Sequence, residues 1–214
     1  MSRVFTAGNY FHLADASVLS LPIGPPGLTF AAWTKFDVIG TVVRRGFWRY
    51  EDLETTQETK YIARTIDDRS VWTQCVDANT GVVRSTPFQV ASAPFPDGEW
   101  FPLVVSIRAE DNYAARVVHP YLDAPIKING ANCYVGGVVA SELYFGSDGQ
   151  YSLVGRMAHF TVYGRGLTDD EIAGFMAGAH PLNIPDAIHY WPMTSGTGDV
   201  TDTVNGVVVP MVGS

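Results

Sequence analysis

Residues 155–178 read GRMAHFTVYGRGLTDDEIAGFMAG, an alternating segment that runs directly into a helical one. The alternation predicts a strand whose faces are Ala158, Phe160 and Val162 on one side and Met157, His159, Thr161 and Tyr163 on the other. We expect His159 to be a packed or rim residue rather than a ligand. The sequence therefore predicts a strand followed at once by a helix near the end of the chain.

The helical half has well-marked ends. Thr168 and Glu171 have the T-x-x-E spacing of a capping box, and Asp169 and Asp170 add negative charge where the helix dipole favours it. Gly178 stands where a left-handed residue ends many helices. Because capping explains the three carboxylates, we expect no catalytic role for them.

The same helix carries a narrow apolar stripe. Ile172, Phe175 and Met176 are spaced i, i+3 and i+4, so they share one face. A helix of about nine residues is too short to be stable alone. We expect this face to pack on the edge or rim of a sheet.

The rest of the chain is patterned as β structure. The run TFAAWTKF at 29–36 predicts a strand, and 70–90 and 100–123 each predict a hairpin. The last segment, VNGVVVPMVGS at 204–214, is expected to return as an edge strand beside RVFTA at 3–7. The sequence thus predicts an all-β fold with one helix.

Length and composition favour a single domain over residues 1–214. The 21 Gly and 13 Pro are spread along the chain, which is typical of many short connections between strands. The formal net charge of -8 repels phosphate backbones and anionic bilayers, so we expect neither nucleic acid nor membrane partners.

No secretory signal and no apolar run of membrane-spanning length is evident, which predicts a protein made in a cytoplasm. Cys75 and Cys133 have no CxxC spacing and no neighbouring His, so no zinc site is indicated. We expect two free, buried thiols, although a single bridge between them stays open.

Four segments together resemble the laminin G-like, concanavalin A-like jelly-roll sandwiches. They are LTFAAWTKF at 28–36, GEWFPLVVSI at 98–107, LYFGSDGQYSLVGRMAHFTVYGRGLTDDEI at 143–172 and the tail at 177–209. The resemblance spans the chain. It implies two antiparallel sheets and one short helix in the C-terminal region.

No catalytic residues are predicted. Glucanase relatives of this fold carry carboxylates at i, i+2 and i+4 of one strand, a pattern that this chain lacks. The pairs Asp52–Glu54 and Asp97–Glu99 have the character of solvated loops or turns. His119 and His189 are expected to be packed or rim residues, and we expect a protein that is not an enzyme.

Calcium is the one cofactor that the resemblance suggests, since some relatives bind it in rim loops. Residues 77–81 begin like a calcium loop, but Gly81 and Phe88 replace ligands there. Asp148 lies in a loop that could coordinate a cation, although Gly-Ser-Asp-Gly is typical of a turn. We expect no tightly held metal and keep Asp148 as a candidate ligand residue.

One segment stands out as a candidate interface. RRGFWRYEDLE at 44–54 places Arg45, Trp48, Arg49 and Tyr50 together, and Arg, Trp and Tyr are enriched in binding hot spots. The alternative is a strand whose aromatic side chains point inward while its arginines are solvated.

Three functions remain open. The leading hypothesis is a non-enzymatic virion protein of a bacteriophage or prophage, used in capsid decoration or in the tail and bound to other virion proteins. The alternative is a lectin-like module that binds a cell-surface polysaccharide through aromatic side chains. The third is a glycosidase or lyase with diverged catalytic residues. A homo-oligomer is compatible with all three.

Overall fold

The structure, a computed structural model, describes residues 2–6, 9–14, 27–37, 45–51, 60–65, 71–76, 83–87, 98–110, 115–118, 126–127, 142–147, 149–194 and 198–213. Its strands, numbered in chain order, are β1 (Arg3–Phe5), β2 (Tyr10–Leu13), β3 (Gly27–Phe36), β4 (Arg45–Glu51), β5 (Lys60–Thr65), β6 (Val71–Val76), β7 (Val83–Pro87), β8 (Trp100–Arg108), β9 (Ala115–Val118), β10 (Ile126–Lys127), β11 (Glu142–Phe145), β12 (Gly155–Tyr163), β13 (Ala187–Trp191), β14 (Val200–Thr201), β15 (Val208–Val209) and β16 (Met211–Val212). The helix α1 is Asp169–Met176, and a 3-10 turn follows at Pro181–Asn183.

These strands form two large antiparallel sheets. In the first sheet the order is β1-β12-β3-β8-β9-β10, and β13 pairs with β12 beside β1. In the second sheet the order is β16-β2-β11-β4-β5-β6-β7. β14 and β15 form a small sheet of their own. The predicted all-β jelly-roll sandwich is therefore confirmed, as are the strand at 29–36 and the pairing within both hairpins.

Aromatic side chains fill the space between the two sheets. Phe30 of the first sheet lies 6.2 Å from Trp48 of the second, measured between ring centroids, and Phe145 lies 4.4 Å from Phe160. All four are buried. Burial of large aromatic rings from both inner faces supplies much of the hydrophobic driving force for joining the sheets.

A bulge in β12 changes the faces predicted for this strand. His159 has a left-handed φ of 55°, and the register with β3 shifts between Ala158 and Thr161. Met157 therefore packs in the main core with Phe160, whereas Ala158 does not. The prediction that Ala158 shares a face with Phe160 was wrong because one extra residue in a strand reverses the alternation on one side of it.

The helix α1 covers the outer face of the first sheet. Ile172 and Phe175 are buried in a second apolar cluster that includes Ala31 of β3, Val104 of β8 and Tyr163 of β12. These three strands are central, so the expected packing on a sheet edge or rim was wrong. The capping box is confirmed, because Thr168 Oγ1 accepts from the Glu171 N–H at 3.3 Å and the Glu171 carboxylate accepts from the Thr168 N–H at 2.8 Å.

The C-terminal segment pairs differently from the expectation. Met211 and Val212 pair with Phe11 and Tyr10 of β2 at the edge of the second sheet. The segment at 3–7 is not their partner, because β1 pairs instead with residues 155–157 of β12 in the first sheet. The prediction that the C-terminal segment forms an edge strand is confirmed, and the predicted partner strand was wrong.

Some predictions fall outside the described residues. They concern Cys133, the side chain of Cys75, the turn at 77–82 of the first hairpin and residues 111–114 in the turn of the second. Within the part of the chain that the structure describes, no helix is long and apolar enough to cross a bilayer.

Candidate functional site

A cleft opens on the outer face of the first sheet, where α1 ends. It encloses about 490 Å³, and we call it the tryptophan cleft. It is lined by Ser2, Trp33, Trp100, Ala158, His159, Gly178, Ala179, His180 and Pro181. The volume falls in the range of pockets that bind small molecules.

Two tryptophans form its aromatic walls. Trp33 of β3 pairs in register with Pro102 of β8, and Trp100 lies two residues before Pro102. Because residues two apart on a strand share a face, both indoles project from the same face of the sheet. Trp33 is half-buried, and its ring centroid is 6.3 Å from that of Phe175 in α1. Trp100 is 37% exposed. One tryptophan is thus anchored by the helix and the other is accessible to a ligand.

Small residues leave room between these walls. Ala158 lies opposite Trp33 in the register of β12 and β3. On the far side, Gly178 ends the helix with a φ of 95°, and a Cβ built on it would meet no atom within 4 Å. The bulge that turns Ala158 outward and the glycine that ends α1 therefore both shape the cleft.

A hydrogen-bonded cluster of three polar side chains borders the cleft. His159 Nδ1 is 2.6 Å from Tyr190 Oη, and Tyr190 Oη is 3.3 Å from His180 Nε2. Burial and the neighbouring His180 both lower the pKa of His159, so its neutral form is favoured. Burial raises the pKa of the Tyr190 phenol, which keeps it protonated. His159 and Tyr190 therefore present hydrogen-bonding groups without a fixed charge.

The described lining of this cleft includes no residue of the segment 44–54. Trp48 is 1% exposed and belongs to the main core, so its assignment as an interface residue is corrected: the bulge in β4 between Gly46 and Trp48 turns the ring inward. Arg45 and Tyr50 belong to β4, but their side chains lie outside the described structure, and so does Asp148.

Arg49 lies instead on the outer face of the second sheet. Its guanidinium carbon is 5.6 Å from the ring centroid of Tyr144. His12 stacks on Tyr144 at 4.2 Å, and the Tyr144 hydroxyl donates to Glu142 at 2.9 Å. Burial and the Glu142 carboxylate raise the pKa of Tyr144 to about 12. These groups bond largely to one another, so they form a surface cluster rather than an open pocket.

The other candidates for chemistry have structural partners or lie outside the described residues. His189 Nδ1 is 2.7 Å from the buried Asp202 carboxylate, which makes it a packed residue as expected. Asp169 pairs with Arg108 at 2.8 Å. Among the described residues no three His, Cys, Asp or Glu side chains are grouped to hold a metal ion. The candidates for which the structure describes nothing are the pair Asp52–Glu54, Asp97, His119 and the loop 77–81.

Sequence reasoning missed Trp33 and Trp100 as site residues. Each occupies an outward position of a predicted strand, and such positions are the only local signal. His159 was expected to be a packed or rim residue rather than a ligand, and the structure places it among the residues that line the cleft.

Comparison with known proteins gives structural neighbours only. No family model matches the chain, and no curated protein matches it in sequence. A candidate carbohydrate-binding protein from Bacteroides ovatus superposes with a TM-score of 0.60 at 13% identity, over 97% of this chain and 58% of the other. This chain therefore spans less than two thirds of that protein.

Two further neighbours have the same TM-score. The CBM40 domain of the Ruminococcus gnavus IT-sialidase, bound to α2,3-sialyllactose, matches at 0.60 with 13% identity, over 82% of this chain and 96% of the domain. The enzymatically active domain of bacteriophage CBA120 tailspike protein 2 matches with a TM-score of 0.60 at 12% identity, over 92% of this chain and 34% of the other. The chain has a jelly-roll fold. At these identities the likeness establishes the fold alone.

Proposed function

We propose that this protein is a non-enzymatic carbohydrate-binding domain that takes a saccharide in the tryptophan cleft. The main observation in support is that Trp33 and Trp100 project from the same face of the first sheet and line a cleft of about 490 Å³. We also propose that residues 1–214 form one domain.

The chemistry of the lining suits a saccharide. One face of a pyranose ring presents C–H groups that can pack on an indole, while its hydroxyls need hydrogen-bond partners in the plane of the ring. Trp100 offers an accessible indole, and His159 offers a ring nitrogen. The described lining includes neither Asp nor Glu, so a pair of catalytic carboxylates is not part of it.

Similarity to carbohydrate-binding structures supports this proposal. The CBM40 domain from Ruminococcus gnavus was solved bound to α2,3-sialyllactose, and the Bacteroides ovatus protein is described as a candidate carbohydrate binder. The same jelly-roll frame thus supports saccharide binding in another chain.

A virion role is our second proposal. Its support is the likeness to the phage tailspike domain, which covers 92% of this chain. The two proposals are compatible, because a saccharide-binding domain carried on a particle would attach that particle to a glycan surface. Mass spectrometry of purified particles from the source tests this role, and absence of the protein from particles would refute it.

A glycan array tests the leading proposal. The fluorescently labelled chain should bind a restricted set of saccharides that share one terminal or internal unit. Binding to no saccharide at micromolar protein concentration, with the chain shown to be folded by circular dichroism, would overturn the proposal.

A further inference from the structure

The polar cluster beside the tryptophan cleft has a defined direction of hydrogen bonding, which begins at the 3-10 turn. His180 precedes this turn, and its Nδ1 accepts a hydrogen bond from the Leu182 N–H at 3.3 Å. An accepting nitrogen carries no proton, so the proton of His180 is on Nε2. His180 is therefore a donor toward Tyr190.

Tyr190 is the next member of this hydrogen-bonded series. Its Oη is 3.3 Å from His180 Nε2 and 2.6 Å from His159 Nδ1. Because the oxygen accepts from the His180 N–H, its own proton is free to donate to His159. The ring planes of Tyr190 and His159 are 5° from parallel, and their centroids are 5.9 Å apart.

His159 completes the series. We assign the Tyr190 hydroxyl as the donor in its 2.6 Å contact with Nδ1, which places the proton of His159 on Nε2. Within the described part of the chain Nε2 has no hydrogen-bond partner, and it is not among the buried polar atoms that lack one. The left-handed bulge at His159 holds this ring at the cleft, and a strained backbone of this kind is often retained at a functional site.

We propose that the series Leu182, His180, Tyr190 and His159 fixes His159 as an Nε2–H donor to an oxygen of an uncharged saccharide. This inference rests on the proposed function and assigns its ligand class. His159 is the specificity-determining residue, and Tyr190 and His180 are positioning residues.

The described surroundings of the donor favour an uncharged ligand. The lining that the structure describes includes neither Arg nor Lys to pair with a carboxylate. The C-terminal end of α1, where the helix dipole is negative, leads into Gly178 at the cleft. A neutral His159 and a negative helix end favour hydroxyl-bearing ligands over anionic ones.

The protonation pattern is tested first, without any ligand. Long-range ¹H–¹⁵N spectra of the histidine rings at pH 7.5 should show His159 as a single Nε2–H tautomer, and Tyr190→Phe should convert it to a mixture. Tyr144→Phe, which removes a hydroxyl on the other sheet, should leave it unchanged. A wild-type His159 that is protonated on Nδ1, or a tautomer that Tyr190→Phe does not alter, would overturn the inference.

The ligand class is tested by titration with lactose, cellobiose, maltose and 3′-sialyllactose, each to tens of millimolar. At least one neutral sugar should shift both the Trp100 indole and the His159 Nε2 signals. Tyr190→Phe, which leaves only part of the His159 population in the donor tautomer, should weaken the binding of this sugar by about twofold. Sialyllactose binding more tightly than lactose, or shifts at Trp100 without His159, would overturn this inference alone. No shift at Trp100 with any of the four sugars would count against the proposed function itself.

Discussion

The hydroxyl of Tyr190 lies 2.6 Å from Nδ1 of His159, and this contact joins β13 to the bulge of β12. The bulge also places Ala158 opposite Trp33 at the floor of the cleft. The geometry of the site therefore depends on an irregularity in one strand that a neighbouring strand holds in place.

The capping residue of α1 should affect stability and leave ligand binding unchanged. Thr168→Ala removes the hydroxyl that accepts from the Glu171 N–H, so the free energy of unfolding should fall by about 1 kcal/mol. Urea denaturation measures this change. Thr194→Ala, at another exposed threonine, is the control and should change stability by less than about 0.5 kcal/mol. Equal stability of the two variants would contradict the role of the cap.

The pair Arg165–Glu171 should make stability depend on pH. Arg165 donates two hydrogen bonds to the Glu171 carboxylate, at 2.7 and 2.6 Å, and this pairing is the main cause that lowers the pKa of Glu171 to about 2. Because the folded-state pKa lies below the usual 4.5, the pair stabilises the fold fully above about pH 4.5 and loses this effect as the pH falls toward 2.

Glu171→Gln isolates this effect. The variant should be less stable than the wild type by about 1 kcal/mol at pH 7, and the difference should shrink between about pH 5 and pH 2. Asp170→Asn, at an exposed position of the same helical turn, is the control. A difference between Glu171→Gln and wild type that is constant from pH 7 to pH 2 would be inconsistent with the ion pair.

Asp202 should be the most sensitive carboxylate of the C-terminal region. It is fully buried, it lies 2.7 Å from His189 Nδ1, and its other oxygen accepts from the backbone N–H groups of Tyr190 and Val204 at 2.9 Å. Burial acts to raise the pKa of Asp202, but the bonds from His189 and the two backbone groups lower it overall. Asp202 is thus ionised and fully hydrogen-bonded.

Asp202→Ala should lower the free energy of unfolding by about 3 to 5 kcal/mol, because it leaves buried donors without an acceptor. Chemical denaturation measures the loss, and Asp199→Ala at an exposed carboxylate should lose about 1 kcal/mol or less. Comparable losses in both variants would show that Asp202 has no special role.

Local sequence signals predicted α1 well, and they failed at the site for physical reasons. The capping box of Thr168 and Glu171 involves residues three positions apart, so the sequence alone contains the whole interaction. The bulge at His159 has no such local signal. A prediction from alternation assumes one residue per register position, and the extra residue shows only in the pairing of β12 with β3.

The aromatic residues illustrate the same limit. Trp48 lies in a segment whose composition resembles a binding hot spot, yet it is buried between the sheets. Trp33 and Trp100 lie in segments for which the sequence predicts strands and no binding role. The pairing of β3 with β8 brings the two side chains onto one face of the sheet. Composition predicts what residues can do, whereas tertiary pairing decides which of them reach the surface together.

The most direct test of the central claim is a calorimetric titration of the saccharide that binds most strongly on the array into wild type, Trp100→Ala and Val208→Ala. Trp100 is accessible and lines the cleft, whereas Val208 is exposed and does not line it. Trp100→Ala removes the stacking surface, so this variant should bind the saccharide at least about tenfold more weakly than the wild type, which corresponds to about 1.4 kcal/mol. Val208→Ala should bind with wild-type affinity. A folded Trp100→Ala variant with wild-type affinity would contradict the assignment of the tryptophan cleft as the saccharide site.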